Sequence, residues 1–314
     1  MAVEKLTQRQ KESLKELEPA LQEAVRLGDY SKAKNLTKKI QELLRPTGHE
    51  TRLMKAKNWL FEAAMEAGEL RTAIAGLSGV RNKTNKNTRV HLEATALLAI
   101  CHLRRKNLGD AEPLMAEVLQ NDKYIKSDKK RRAFRKRVVQ RFNEEGALAA
   151  LKGFGDDALV PATIQAEAGK LLQTKSEDQI LDNLGNTIPI ETIRFLQTVD
   201  DISRKQLPYR EMKFLPDPQK QLEKKELGRT LFSSLKRVLW KSLCDPKSDV
   251  YKAWFNHGVG VVLDKKYIAM AVSASFAGLG IGYKAMAISV TALVIKFGID
   301  VYCDHYMPEG VMGV

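Results

Sequence analysis

The chain has 314 residues, 44% of them hydrophobic, enough to bury a large core or several smaller ones, so a disordered polymer is excluded as the default state. Lys and Arg number 52 against 38 Asp and Glu, a net charge of +14, so the surface should attract anionic partners: nucleic acid, acidic protein or anionic lipid. Cys101, Cys244 and Cys303 are odd in number and far apart, and the charged opening Met1–Lys5 lacks the apolar core of a secretory signal. These features imply no disulfide framework and a cytoplasmic protein that meets a membrane, if at all, peripherally or through a C-terminal insertion at the inner face.

From Leu6 to about Gln120 apolar residues recur at three and four, Pro is sparse, and Ala, Leu, Glu and Lys dominate, which predicts helix throughout. Three segments inside this stretch are alike. In the first, Gly28 is followed by Tyr30, Ala33, Ile40 and Pro46; in the second, Gly68 is followed by Leu70, Ala73, Leu77 and Val80; the third runs Leu108, Ala111, Met115, Val118 and has Lys106 where the glycine belongs. Each is preceded by a helical stretch, so the unit is helix, tight turn, helix.

These residues resemble the tetratricopeptide repeat family, in which a small residue after the turn lets two helices approach closely. Ala33, Ala73 and Ala111 take that position, and Thr37 departs from the pattern where the first unit should carry a large aromatic residue. The resemblance covers roughly the first 120 residues and implies a recognition scaffold that binds a protein or peptide and performs no chemistry.

Next comes a dense basic run that includes Lys129, Lys130, Arg131, Arg132, Arg135, Lys136, Arg137 and Arg141. Phe134, Val138, Val139 and Phe142 fall on one side of a helix through it, so the run reads as a helical face that either binds phosphate-like anions or is simply solvated. Gly153, Gly155 and Pro161 then break the pattern. Helices are predicted again over 164–172, 176–184 and 190–203, with Ser176 as a start and Gly185 as a stop. Pro208, Pro216 and Pro218 mark a linker over 207–219.

Beyond it, Leu227, Leu231, Leu235, Val238, Leu239 and Leu243 form an apolar stripe on a basic helix, suited to an anionic membrane or to a half-buried place in the protein. Two uncharged stretches follow, 268–282 and 285–295, each shorter than the roughly 18 residues of a membrane span. Gly278, Gly280, Gly282 and Lys284 suggest a turn between two short helices, and Ala274 and Ala285 are among the small residues that permit close helix contact, in a bilayer, an oligomer or a core. The glycine spacing is not a dinucleotide or phosphate-loop fingerprint. No two of the five histidines have metalloprotease spacing, and the Cys101–His102 and Cys303–His305 neighbours read as structural.

The expected fold is all-α: a helix-hairpin repeat array over 1–145 ending in the basic helix, a helical middle region over 146–206, the linker, and a 220–314 segment with a C-terminal hydrophobic hairpin. The expected function is that of a non-enzymatic scaffold, without metal or other cofactor, that binds a protein or an anionic partner and carries a C-terminal module for oligomerisation or membrane association. Two alternatives stand beside it: an anti-phage defence effector that acts on the membrane through its C-terminal hairpin, and a nucleic-acid-binding helical repeat.

Overall fold

In the computed structural model, which describes residues 3–213, 217–264, 266–307 and 310, the protein is all-α, and no strand occurs among those residues. Two compact units share the chain: the first takes Met1–Phe142, Ile202–Leu207 and Glu309–Val314, the second Asn143–Asp201 and Pro208–Pro308. Most of the expected middle region and the C-terminal helices therefore fall within one unit.

The first unit holds six helices in consecutive pairs: α1 (Gln8–Arg26) with α2 (Tyr30–Leu44), α3 (Glu50–Glu66) with α4 (Leu70–Lys83), and α5 (Arg89–Arg104) with α6 (Leu108–Asn121). Thr7 and Gln10 close a reciprocal capping box at the start of α1. The three turns are equivalent. Gly28 and Gly68 have φ of 62° and 85°, and Lys106, which occupies the glycine's place in the third turn, has φ of 57°. The lysine pays a left-handed strain that glycine avoids, so the backbone geometry, not the residue type, is what the three repeats share. Ala33, Ala73 and Ala111 are each completely buried, as close-approach positions must be. Within the array α1 packs on α3 and α3 on α5, so the first helices of the three pairs form a layer of their own.

The basic run lies in α7 (Asp128–Leu151), whose first residues belong to the first unit. Phe134, Val138, Val139 and Phe142 are buried, as the helical reading of the run requires.

In the second unit, α8 (Pro161–Thr174) begins on Pro161, which is a helix start rather than a break, its fixed φ and missing donor suiting the first turn. Ser176 caps α9 (Glu177–Asn186) in a second capping box with Gln179. α10 (Ile190–Lys205) follows, its residues from Ile202 onward belonging to the first unit, and then two single turns, α11 (Tyr209–Met212) and α12 (Pro218–Gln221), at the ends of the expected linker; Pro216 lies outside the described residues. α13 (Lys224–Cys244) buries Leu227, Leu231, Leu235, Leu239 and Leu243 against α9 and α16 (Tyr267–Leu279), so its apolar stripe serves the protein's own core. Between them run α14 (Asp249–His257) and α15 (Val259–Asp264).

α16 and α17 (Lys284–Phe297) pack on one another, and α17 packs also on α8 and α9, burying every residue from Met286 to Val294. Among the described residues no single helix is long and apolar enough to cross a membrane; α17 and the closing α18 (Ile299–His305) reach the length only as a pair bent by 91°.

Two glycine contacts set this packing. Gly185 and Gly228 lie where α9 meets α13: a Cβ on Gly185 would stand 1.8 Å from the Lys224 carbonyl oxygen, and one on Gly228 would stand 2.0 Å from that of Leu181. Gly185, expected as a helix stop, is thus a packing residue inside α9. The second contact joins the loops 153–157 and 280–284 through backbone bonds: Gly153 N–H to Gly280 O at 2.9 Å, Gly282 N–H to Phe154 O at 2.9 Å and Asp157 N–H to Gly282 O at 2.7 Å. Asp157 also accepts from the Lys284 backbone N–H at 2.8 Å, so the glycine-rich turn is held by a matching glycine pair rather than by a phosphate.

The expectation of unlinked thiols is corrected. Cys244 and Cys303 form a disulfide, their Cα atoms 5.4 Å apart, joining the end of α13 to α18 across 59 residues. Pairing depends on the fold that brings α13 and α18 together, a distance in sequence that no spacing rule reads. Trp240 donates its indole N–H to the Cys303 carbonyl at 2.9 Å, and the Tyr302 hydroxyl donates to the Lys236 carbonyl at 3.1 Å, fixing the same junction.

Candidate recognition surface of the array

An array helix that packs on both neighbours should present apolar residues at nearly every position. α5 does so from Val90 to Cys101, with His91, Glu93 and Thr95 as the polar exceptions. α3 likewise carries Asn58 and Glu62 among its buried Leu, Met, Ala and Trp residues. Lys55, Asn58, Glu62 and Glu66 recur at three and four along α3, and Arg89 and Glu93 are four apart on α5, so each set forms a ridge along its helix.

Burial of these groups is costly unless they are paired, and most are. Asn58 donates through Nδ2 to the Val90 carbonyl at 2.9 Å, tying α3 to α5. Arg89 pairs with Glu93 at 2.8 Å. Even so, burial pushes the Glu93 carboxyl up to about 7, against the pull of Arg89 and Lys55 and with a further push from Glu62. Its proton is thus exchangeable near neutrality, and the ridge changes charge there.

At the far end of α3 the balance reverses. Glu66 receives Arg104 at 3.1 Å and Arg141 at 2.5 Å. Burial alone would raise its carboxyl, but the two guanidinium groups outweigh that and hold it below the ordinary carboxylate range. Arg104 also donates to the Met65 carbonyl at 2.7 Å. On the second side of the array, Glu117 joins Arg81 at 2.7 Å and the His91 ring at 3.0 Å; burial raises its carboxyl, and these partners overcome the rise.

The predicted anion-binding residues do not form one surface. Lys129, Lys130, Arg132 and Lys136 are exposed, and Arg131 and Arg137 are half-buried, with Arg131 paired to Asp128 at 2.7 Å. Arg135 is buried against Asp122 at 2.6 Å, and Arg141 belongs to the Glu66 cluster. Helical periodicity explains the split: Arg135 and Arg141 lie close to the Phe134, Val138 and Phe142 side, so they are carried inward with it.

The predicted membrane or oligomer residues are also divided. Ala274, Gly278, Gly280 and Ala285 are exposed and Gly282 is half-buried. Lys284 occupies the first turn of α17 with its ammonium 2.7 Å from Glu167. Among the described residues no group of three or more His, Cys, Asp or Glu is arranged to hold a metal ion.

Sequence reasoning passed over Glu62, Glu93 and Asn58. The signal was present: a carboxylate inside Trp59–Leu60–Phe61–Glu62–Ala63–Ala64, and another inside Val90–His91–Leu92–Glu93–Ala94, each interrupting an apolar helix that has no reason to carry one. No known protein family matches the chain, and neither a curated protein nor a solved structure is similar to it.

Proposed function

We propose that the chain is a non-enzymatic scaffold of the tetratricopeptide kind whose array recognises an extended peptide along the α3–α5 layer. One observation carries this: the ridge of Lys55, Asn58, Glu62, Arg89 and Glu93, polar groups fixed in a layer where packing alone calls for apolar ones. A peptide backbone offers N–H and C=O groups in alternation, and in this reading the half-buried Lys55 and Arg89 are the groups a peptide C=O or carboxylate reaches, Asn58, Glu62 and Glu93 being buried. The second unit, with its own buried core, serves in this reading as the attached module through which the scaffold assembles.

Panning a random peptide library over the full chain tests the reading. The selected peptides should bind a Lys55→Glu, Arg89→Glu variant at least ~tenfold more weakly, a loss in the range of truncating an interface anchor. Far-UV circular dichroism should be unchanged. Equal binding by the variant overturns the reading.

A second reading, of an anionic partner, is favoured by the exposed Lys129, Lys130, Arg132 and Lys136 on α7. Four cations engaged on phosphates predict a log–log salt slope of about −3 for single-stranded nucleic acid, and a flat salt response removes that reading. The membrane-effector alternative draws no support from α17, whose apolar residues from Met286 to Val294 are spent inside the second unit.

A further inference from the structure

α14 of the second unit spends one side of its helix on the core, through Val250 and Ala253. Tyr251, Trp254 and Phe255, three and four apart, share the adjoining side and form one stack of rings. Tyr251 and Phe255 are 5.4 Å apart and nearly parallel, and Trp254 meets Tyr251 edge-on at 5.0 Å. Exposure climbs along the stack: Tyr251 and Trp254 are half-buried, and Phe255 is 67% exposed. A single exposed ring needs no explanation, but this one tops an ordered stack and runs on into the exposed Gly258 and Gly260 and the half-buried Val259 and Val261.

The segment from Val250 to Leu263 contains no carboxylate. In and around it Lys247, Lys252, Lys265 and Lys266 outnumber Asp249 and Asp264. Lys252 is exposed on α14 itself, 3.7 Å from Asp249 at the start of the helix. α16, which packs on both α14 and α15, leaves Met270, Ala274 and Ala277 exposed, all of them uncharged.

We propose that α14 and the turn after it are the chain's contact with an anionic bilayer, Phe255 entering the boundary between headgroups and acyl chains while the flanking lysines meet the lipid charges. This goes beyond the recognition reading and stands without it, since it uses the second unit alone. Shape and charge choose the occupant. The stack is a ridge that rises to an exposed ring, and a bilayer receives such a ring without a matching pocket, which a protein partner would have to supply. A second copy seated across a two-fold axis would set the cationic rim against itself, on a chain whose net charge is already +14. Anionic lipid answers both the ring and the lysines.

The experiment uses the full chain and sucrose-loaded phosphatidylcholine vesicles with and without about 30% phosphatidylserine, sedimented and assayed for bound protein. The chain should partition onto the anionic vesicles at least ~tenfold more strongly than onto the neutral ones. A Phe255→Ser variant changes no charge and removes an exposed side chain, so its circular dichroism should be unchanged while its partitioning falls about tenfold. Tryptophan emission should shift to the blue on anionic vesicles, and a Trp254→Phe variant should lose the shift and retain the binding. Equal partitioning onto the two compositions, equal binding by Phe255→Ser, or a shift that survives in Trp254→Phe overturns the proposal. So does a fall in the solution mass of Phe255→Ser with no vesicle binding by either protein, which would assign the stack to a second copy of the chain.

Discussion

Glycine-to-alanine substitution at two helical positions of the second unit should move stability in opposite directions. Gly169 in α8 has nothing within 4 Å of the place a Cβ would occupy, whereas Gly228 in α13 would set its Cβ 2.0 Å from the Leu181 carbonyl oxygen and 2.9 Å from the carbonyl carbon. At Gly169 alanine removes unfolded-state freedom and adds helix propensity, a gain of about 0.5 to 1 kcal/mol. The same gain is available at Gly228 but is outweighed there. The obstructing atom is backbone of α9, which cannot rotate away, so α9 and α13 must separate by more than 1 Å to restore ordinary contact of about 3.4 Å. Overpacking of this kind costs about 1 to 3 kcal/mol, and here it also opens the interface that buries Leu181, Leu184, Leu227 and Leu231. The net expectation is Gly169→Ala stabilised by up to ~1 kcal/mol and Gly228→Ala destabilised by about 1 to 2 kcal/mol, read as urea midpoints at fixed slope. If both variants shift the same way, the α9–α13 contact is not the close one described.

Two further outcomes follow from the charge and covalent features. Glu93 is raised from 4.5 to about 7 in the fold, so the stability it contributes is full below pH 4.5 and is lost as pH rises to about 7, some 3 kcal/mol in all. A Glu93→Gln variant should therefore lose about that much less stability than the unaltered chain between pH 4.5 and 8 in urea titrations, and parallel pH profiles would contradict the buried carboxyl. Breaking the disulfide that closes 59 residues, by Cys303→Ser, should lower unfolding free energy by about 4 kcal/mol on the loop-entropy scale. Adding dithiothreitol should produce the same shift in the unaltered chain and none in the variant.

The helices of the array were legible because their signals are local. The three turns announce themselves through Gly28, Gly68 and the residues after them, while the caps Thr7, Asp29 and Asn107, equally local, were passed over. Ser176 likewise marks the start of α9. What escaped was long-range. The Cys244–Cys303 bond, the Gly185–Gly228 crossing and the pairing of Gly155 with Gly282 each join residues whose proximity is decided by topology, to which periodicity within one helix is blind. The basic run was legible in part. Composition counted its charges correctly, but Arg135 and Arg141 are internal ion-pair partners, and a count of cations does not say which of them face water. Gly185 shows a third limit, since a glycine near a helix end serves equally as a terminator or as a place for another backbone to press close.

The backbone pairing of 153–157 with 280–284 also governs when the second unit can form. Asp157 and the Lys284 amide it caps are separated by 127 residues, which at ordinary translation rates of about 5 to 20 residues per second is a delay of roughly 6 to 25 s. Throughout that interval a nascent chain carries α8 and α9 without the helices that cover them, while the neighbouring pairs of the array close as soon as they leave the ribosome. Apolar side chains such as Ile164, Ala168 and Ile180 are left waiting. Synthesis in the cell thus makes the second half of this protein, not the first, the natural client of chaperones that shield unfinished surfaces.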